Sequence, residues 1–378
     1  MSRNTPASRP NDHNTAAAER ALQTFLDLVR IDSPSGQEAA VADWLLDALR
    51  RTGVIVERDA AGNVIGRRPG RGAGASLPPL LLSAHMDTVQ GTTSVVPVVR
   101  DGVVRSEGDT ILGADDKAGI TAIQEALRRT ASEQVDCRTV EVAFTVREET
   151  GLTGAKALDL AAFAARQALV LDSDGPLGKI VNRAPAQNSI EATIIGRAAH
   201  AGVSPERGIS AIQAAARALG PMRLGRVDDE TTANVGIISG GTARNIVPER
   251  VRLVGEARSR DERKLEAQTR HMVELLETAA AELGARAEIQ VARSYAAINV
   301  REDSPLVHLV RHALERHGVA ARLEPTGGGS DANIFAANGL EALNIGVGIE
   351  DPHSVDEHIA VADLLASCDV LVTILTAV

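Results

Sequence analysis

The chain has 378 residues, 44% of them hydrophobic, and a formal net charge of −10, which allows two domains with sizeable cores. Phe, Trp and Tyr number only 4, 1 and 1, so the cores must be aliphatic, and stacking platforms for nucleic-acid bases are excluded. The acidic balance opposes phosphate backbones and anionic membranes, and the two isolated thiols, Cys137 and Cys368, fit a reducing, cytoplasmic setting.

Residues 1–15 lack the apolar core of a signal peptide and read as a disordered tail. No run reaches the roughly 18 apolar residues of a membrane span. Apolar residues at helical spacing predict helices over 16–30 and 37–51. Strands are expected over 54–57 and 64–67, followed by the glycine-rich GRGAGAS stretch. PLLLSAHMDTV then reads as a short strand covered on both faces, with His85 and Asp87 beyond its apolar part. Segments 95–100 and 103–105 flank Asp101-Gly102, a hairpin signal. Asp115 or Asp116 caps a helix through Arg129. Further strands are expected over 139–146, 168–171 and 342–347.

Between 186 and 300 the pattern becomes strand, helix, strand, strand, helix, strand, the order of a ferredoxin-like α+β unit. The expected architecture is therefore an α/β catalytic domain made of 16–185 and 301–378, with a mixed central sheet flanked by helices. The α+β unit of 186–300 is inserted in it.

The chemistry-bearing residues gather at strand ends. His85 and Asp87 follow PLLLSA, Glu148 and Glu149 follow VEVAFTV, Asp172 follows ALVL, His353 comes soon after ALNIGVG, and the pair Asp115-Asp116 opens a helix. In an open α/β sheet these ends share one crevice. So many carboxylates in one cleft repel one another without cations. Imidazoles and carboxylates without thiolates suit zinc, cobalt or manganese. The ligand number exceeds what one tetrahedral zinc uses and fits two metals with a bridging carboxylate. Asp87 is placed to orient the His85 ring, and one of the adjacent glutamates is free to move a proton.

LLLSAHMDTV, GADDKAGI, REETGLTGA, LVLDSDGP, GRAAHAGVSPERG, ARNIVPE, TGGGSDANIF and DPHSVDEHI resemble, in order and spacing, the cocatalytic zinc peptidases that include peptidase T, carboxypeptidase G, aminoacylase and succinyl-diaminopimelate desuccinylase. The resemblance spans nearly the whole chain after the tail and leans toward peptidase T-like proteins. It implies His85, Asp115, Glu149, Asp172 and His353 as ligands of two divalent metals, zinc first, with Asp115 bridging. Asp174 is a rival for Asp172. It also implies Asp87 as the residue orienting His85 and Glu148 as general acid/base. The inserted unit would be a lid and dimerisation domain of a homodimer, with His200 supplied by the partner subunit to the reacting carbonyl. Asn245, Arg258, Gly328, Gly329 and Ser330 would contact substrate. The implied substrate is a small di- or tripeptide, or else an N-acyl or ureido amino acid on the same scaffold. Peptidase T carries an arginine where this chain has Gly327, which removes a bidentate clamp for a carboxylate.

Overall fold

A computed structural model describes residues Pro10–Ala377. Of the expected tail over 1–15, residues 1–9 lie outside the described residues and residues 10–15 belong to a helix, Pro10–Val29. In chain order the elements are α1 (Pro10–Val29), α2 (Ala39–Arg50), β1 (Ile55–Arg58), β2 (Val64–Arg68), β3 (Leu80–His85), β4 (Pro97–Arg100), β5 (Val103–Ser106), α3 (Ala114–Ser132), β6 (Val140–Thr145), α4 (Thr153–Ala157), β7 (Gln167–Asp174) and β8 (Lys179–Ala184). There follow β9 (Ala186–Ile195), α5 (Ala211–Leu219), β10 (Gly225–Arg226), β11 (Thr231–Gly240), β12 (Arg250–Ser259), α6 (Glu262–Glu282), β13 (Arg286–Tyr295) and β14 (Ile298–Asn299). The chain ends with α7 (Pro305–Arg316), β15 (Arg322–Pro325), α8 (Asp331–Ala337), β16 (Glu341–Glu350), β17 (His358–Ala360) and α9 (Val361–Thr376).

The chain divides into two compact units. One takes in the residues up to Asn182, Val300–Glu324 and the segment from Ser330 onward; the other comprises Arg183–Asn299 and Pro325–Gly329. In the first unit the strand order is β1-β2-β6-β3-β7-β16-β17-β5-β4. The central strands β6, β3, β7 and β16 are parallel, and the outer pairings are antiparallel. Every residue of β3 and β6 is buried, as their near-continuous apolar runs require of a sheet covered on both faces. The parallel strands bring the residues after β3 and β6, Asp172 within β7, and the segment after β16 to one edge. The expected mixed sheet flanked by helices is the observed one. The expected hairpin at Asp101-Gly102 forms as well, with φ of 51° and 76° at those two residues.

Helix starts follow local chemistry. Ser304 caps α7 by accepting the Val307 N–H, with Pro305 at the first turn. Asp261 caps α6 by accepting the N–H groups of Arg263 and Lys264. Asp116, rather than Asp115, acts as the cap near the start of α3, its Oδ1 accepting the Gly119 N–H at 3.1 Å.

The second unit has sheet order β10-β11-β12-β9-β13, with every pairing antiparallel. The alternation of β9 places Ile190, Ala192 and Ile194 in a core with Ala214 and Ala218 of α5 and Leu265, Met272 and Leu276 of α6. Strand, helix, strand, strand, helix, strand with the first strand between the third and fourth is the ferredoxin-like arrangement.

Candidate metal centre

The centre is built by five segments of the first unit. His85 ends β3 and is 1% exposed at its side chain. Asp115 lies in the first turn of α3, where Asp115 and Asp116 both leave helical backbone angles. Glu149 follows β6, Asp172 sits within β7, and His353 follows β16. Left-handed backbone at Arg147 (φ 52°) and His353 (φ 63°) turns the last two loops back over the sheet; such residues cluster at functional sites.

Asp115 faces two sides. Its Oδ1 lies 3.2 Å from His85 Nε2, which is also 3.6 Å from Asp172 Oδ1. Its Oδ2 lies 3.2 Å from His353 Nε2, which is 2.8 Å from Glu149 Oε1. One carboxylate is thus shared between a His85–Asp172 half and a His353–Glu149 half. The ligating atoms of His85, Asp116 and Asp172 lie within 4.8 Å of one another, as do those of His85, Asp115 and Glu149. Asp174, by contrast, turns outward and pairs with Lys179 at 2.7 Å, its side chain 59% exposed.

The electrostatics call for positive charge. Burial pushes the Asp172 carboxyl up to about 7, and burial followed by the charge of Asp172 raises Glu148 well above the usual carboxylate range. Burial likewise raises Asp116, and its Oδ2 is buried without a hydrogen-bond partner. His353 is drawn up to about 10 by Asp115 and Glu149. Burial opposes charge on His85, but Asp115, Asp172 and Asp87 outweigh it. The crowded oxygens fit a pair of divalent cations: His85, Asp172 and Asp115 could hold one, with the unpartnered Asp116 Oδ2 beside them, and His353, Glu149 and Asp115 could hold the other.

Around these residues is a layer of groups that bind backbone. His85 Nδ1 is 2.8 Å from the carbonyl of Asp87, and the Asp87 carboxylate stands 3.6 Å away. At that distance the carboxylate acts on the ring by charge rather than by a normal hydrogen bond. Its oxygens instead accept the Ser35 hydroxyl at 2.6 Å and the N–H groups of Glu148 and Glu149 at 2.9 and 3.2 Å. The expectation that Asp87 holds the His85 ring is therefore refined: the main-chain carbonyl takes the ring nitrogen, and the carboxylate grips the glutamate loop. Glu38 grips the same loop through the Arg147 N–H at 3.1 Å. Asn344 brackets Asp172, and Glu357 receives the amides of Gly113, Ala114 and Asp115. Sequence reasoning missed Ser35, Glu38, Asn344 and Glu357. Glu357, inside DPHSVDEHI, and Asn344, inside ALNIGVG, stood in stretches already singled out, but without these roles.

His200, Asn245, Arg258, Gly328 and Gly329 belong to the second unit and Ser330 to the first. His200 forms an isolated bridge with Ile246, and its Nδ1 accepts the Gly202 N–H at 3.2 Å, which leaves the ring proton on Nε2. The Asn245 carbonyl accepts the Ala201 N–H at 2.9 Å. Arg258 forks onto Glu256 at 2.9 and 3.1 Å. Gly329 abuts the Tyr295 ring, where an added Cβ would fall 2.3 Å from a ring carbon. Ser330 caps α8 in a capping box with Asn333.

Fold and site together define a metal-dependent hydrolase. Residues 81–377 match peptidase family M20/M25/M40, and the chain belongs to it. It is 40% identical over 365 residues to the uncharacterized protein YqjE of Bacillus subtilis strain 168, covering 94% of this chain and 98% of that one. Peptidase T of Geobacillus thermodenitrificans is 29% identical over 279 residues, covering 72% of this chain and 67% of that protein. Among solved structures, aminopeptidase PepT from Bacillus cereus ATCC 10987 aligns with a TM-score of 0.86 at 40% identity, covering 95% of this chain and 98% of that one. A tripeptidase from Staphylococcus aureus aligns with a TM-score of 0.90 at 36% identity, with the same coverages of 95% and 98%.

Proposed function

We propose that the protein is a peptidase T-like exopeptidase of the cytoplasm that cleaves a peptide bond in a small peptide bearing a free carboxylate. It uses two divalent cations, zinc first, with cobalt or manganese able to replace it. The observation that carries this reading is Asp115, whose two oxygens each lie 3.2 Å from a different histidine. Two divalent ions held by these residues would supply Lewis-acid chemistry, polarising a scissile carbonyl and lowering the pKa of a water. Glu148 is a carboxylate beside the centre that the ligand set does not use, and burial holds its carboxyl well above the usual range. It takes the proton of the attacking water and returns it to the amine nitrogen as the C–N bond breaks.

His200 acts from a second copy of the chain. An Nε2–H donor is what a developing oxyanion needs, and the Gly202 contact sets that tautomer. Asn245, Arg258, Gly328, Gly329 and Ser330 contact the substrate, with Gly327 leaving space where peptidase T has an arginine. The homodimer forms along β11. Among the described residues no strand pairs with its outer edge beyond Ala233, and Ile237 and Ile238 are 51% and 55% exposed there. A long, apolar edge is a template for another strand. Two buried free cysteines accord with a reducing compartment, and among the described residues no helix is long and apolar enough to cross a membrane.

The test is hydrolysis of a panel of tripeptides, dipeptides, N-acyl amino acids and ureido amino acids, with zinc, cobalt or manganese and with a chelated control. Metal-dependent release of an N-terminal residue from the peptides is expected. Preference for the N-acyl or ureido compounds would make the protein a deacylase or ureido-amidohydrolase, and no turnover of any would leave a metal or peptide binder.

A further inference from the structure

Outside the proposed ligand set, one buried carboxylate meets the metal loops in a way the proposed chemistry does not use. Glu357 is 1% exposed. Its Oε2 accepts the N–H of Gly113 at 2.5 Å and of Ala114 at 3.2 Å, and its Oε1 accepts the N–H of Asp115 at 3.2 Å. Amides at the start of a helix have no helical acceptor and need one from elsewhere. Here the need is greater because Gly113 is left-handed and Asp115 and Asp116 depart from helical angles. A carboxylate has two oxygens and no proton to give, so it can receive three N–H groups at once; a glutamine offers one acceptor oxygen and adds donors.

We propose that Glu357 is a positioning residue that fixes Asp115 relative to His353, so that the shared carboxylate presents one oxygen to each half of the centre. Glu357 and His353 lie four positions apart on one segment, and His353 Nε2 stands 3.2 Å from Asp115 Oδ2. The segment that supplies the histidine therefore also holds the backbone of the aspartate facing it. Burying a further negative charge beside an acidic centre is unfavourable unless its oxygens are fully engaged, and three amides engage them. The proposal rests on the two-ion reading of the centre.

The experiment is calorimetric titration of metal-free wild type, E357Q and E357D with zinc, at a temperature where thermal unfolding curves show each protein fully folded. E357Q is expected to bind the ion between Asp115 and His353 about 10- to 100-fold more weakly, as loss of an outer-shell partner does. E357D, which keeps two acceptor oxygens on a shorter arm, should recover part of that loss. A folded E357Q that takes up both ions with wild-type affinity overturns the proposal, even if its unfolding temperature has dropped, because that marks a purely structural anchor. Should E357Q fail to fold, E357D decides: weakened zinc affinity supports the role and wild-type affinity overturns it. A wild type that takes up fewer than two ions overturns the two-ion reading itself, and with it the proposal that rests on it.

Discussion

Asn344 clasps the backbone of Asp172 from both sides: its Oδ1 accepts the Asp172 N–H at 3.0 Å and its Nδ2 donates to the Asp172 carbonyl at 2.9 Å. The register between β7 and β16 slips just after Asn344, so the side chain replaces ladder bonds that the irregularity removes. Replacing Asn344 with leucine leaves two backbone groups without those partners. A loss of roughly 1–3 kcal/mol per unsatisfied buried group is expected, together with weaker metal uptake at the His85–Asp172 half. Denaturant unfolding and zinc titration of N344L check both; wild-type values in both would mean the ladder closes without it.

Glu148→Gln removes the proposed proton carrier and keeps the shape. Turnover should fall about 10²- to 10⁴-fold while metal analysis still finds two ions per chain. Near-normal turnover would move the proton transfer to another group.

Asp87→Asn tests the grip on the glutamate loop. Asparagine has one acceptor oxygen for three donors, so Glu148 and Glu149 lose part of their support. Turnover is expected to drop by about 10- to 100-fold, with a proportionally smaller change in the unfolding midpoint. A large loss of stability with unchanged turnover per folded molecule would make the carboxylate a fold anchor only.

Gly119→Ala tests how closely α3 approaches β7. A Cβ there would fall 2.4 Å from Asp116 Oδ1 and 2.7 Å from the Leu171 carbonyl. The backbone must shift at the residue that precedes Asp172, at a cost of about 1–3 kcal/mol. A lowered unfolding temperature with weakened metal binding is expected, and an unchanged melting curve would contradict the close approach.

Chelation should lower the unfolding temperature, and added zinc should restore it in a concentration-dependent way, since an ion that binds only the folded state stabilises it. The effect should be large here because the ions offset mutual repulsion among buried carboxylates. Identical melting curves with and without chelator would contradict a folded-state metal centre.

The groups that gather at the centre were legible because their side chains are chemically distinctive and stand at strand ends or a helix start: His85, Asp172, His353 and the pairs Asp115-Asp116 and Glu148-Glu149 could be picked out before any coordinates, whereas the choice within each pair was implied only by the family resemblance. The ferredoxin-like segment was legible from the order of its periodic stretches. Ser35, Glu38, Asn344 and Glu357 were not, because they act on backbone amides. Any chain segment carries amides, and which ones a carboxylate meets is settled only when distant loops pack. The division of labour within Asp87 was hidden for a related reason, since spacing locates a side chain but does not say whether its carboxylate or its own carbonyl faces the ring. Strand β8 and the short pairings around it were also overlooked, lying between stronger signals.

The inserted segment begins and ends in a pair of hydrogen-bonded strands, Ala184 opposite Ile298 and Arg183 opposite Asn299. Its two ends are therefore stapled to each other before the chain leaves for the rest of the molecule. Such a segment is a cassette: a short turn joining Arg183 to Asn299 would close the gap left by its removal, and the excised piece carries its own aliphatic core.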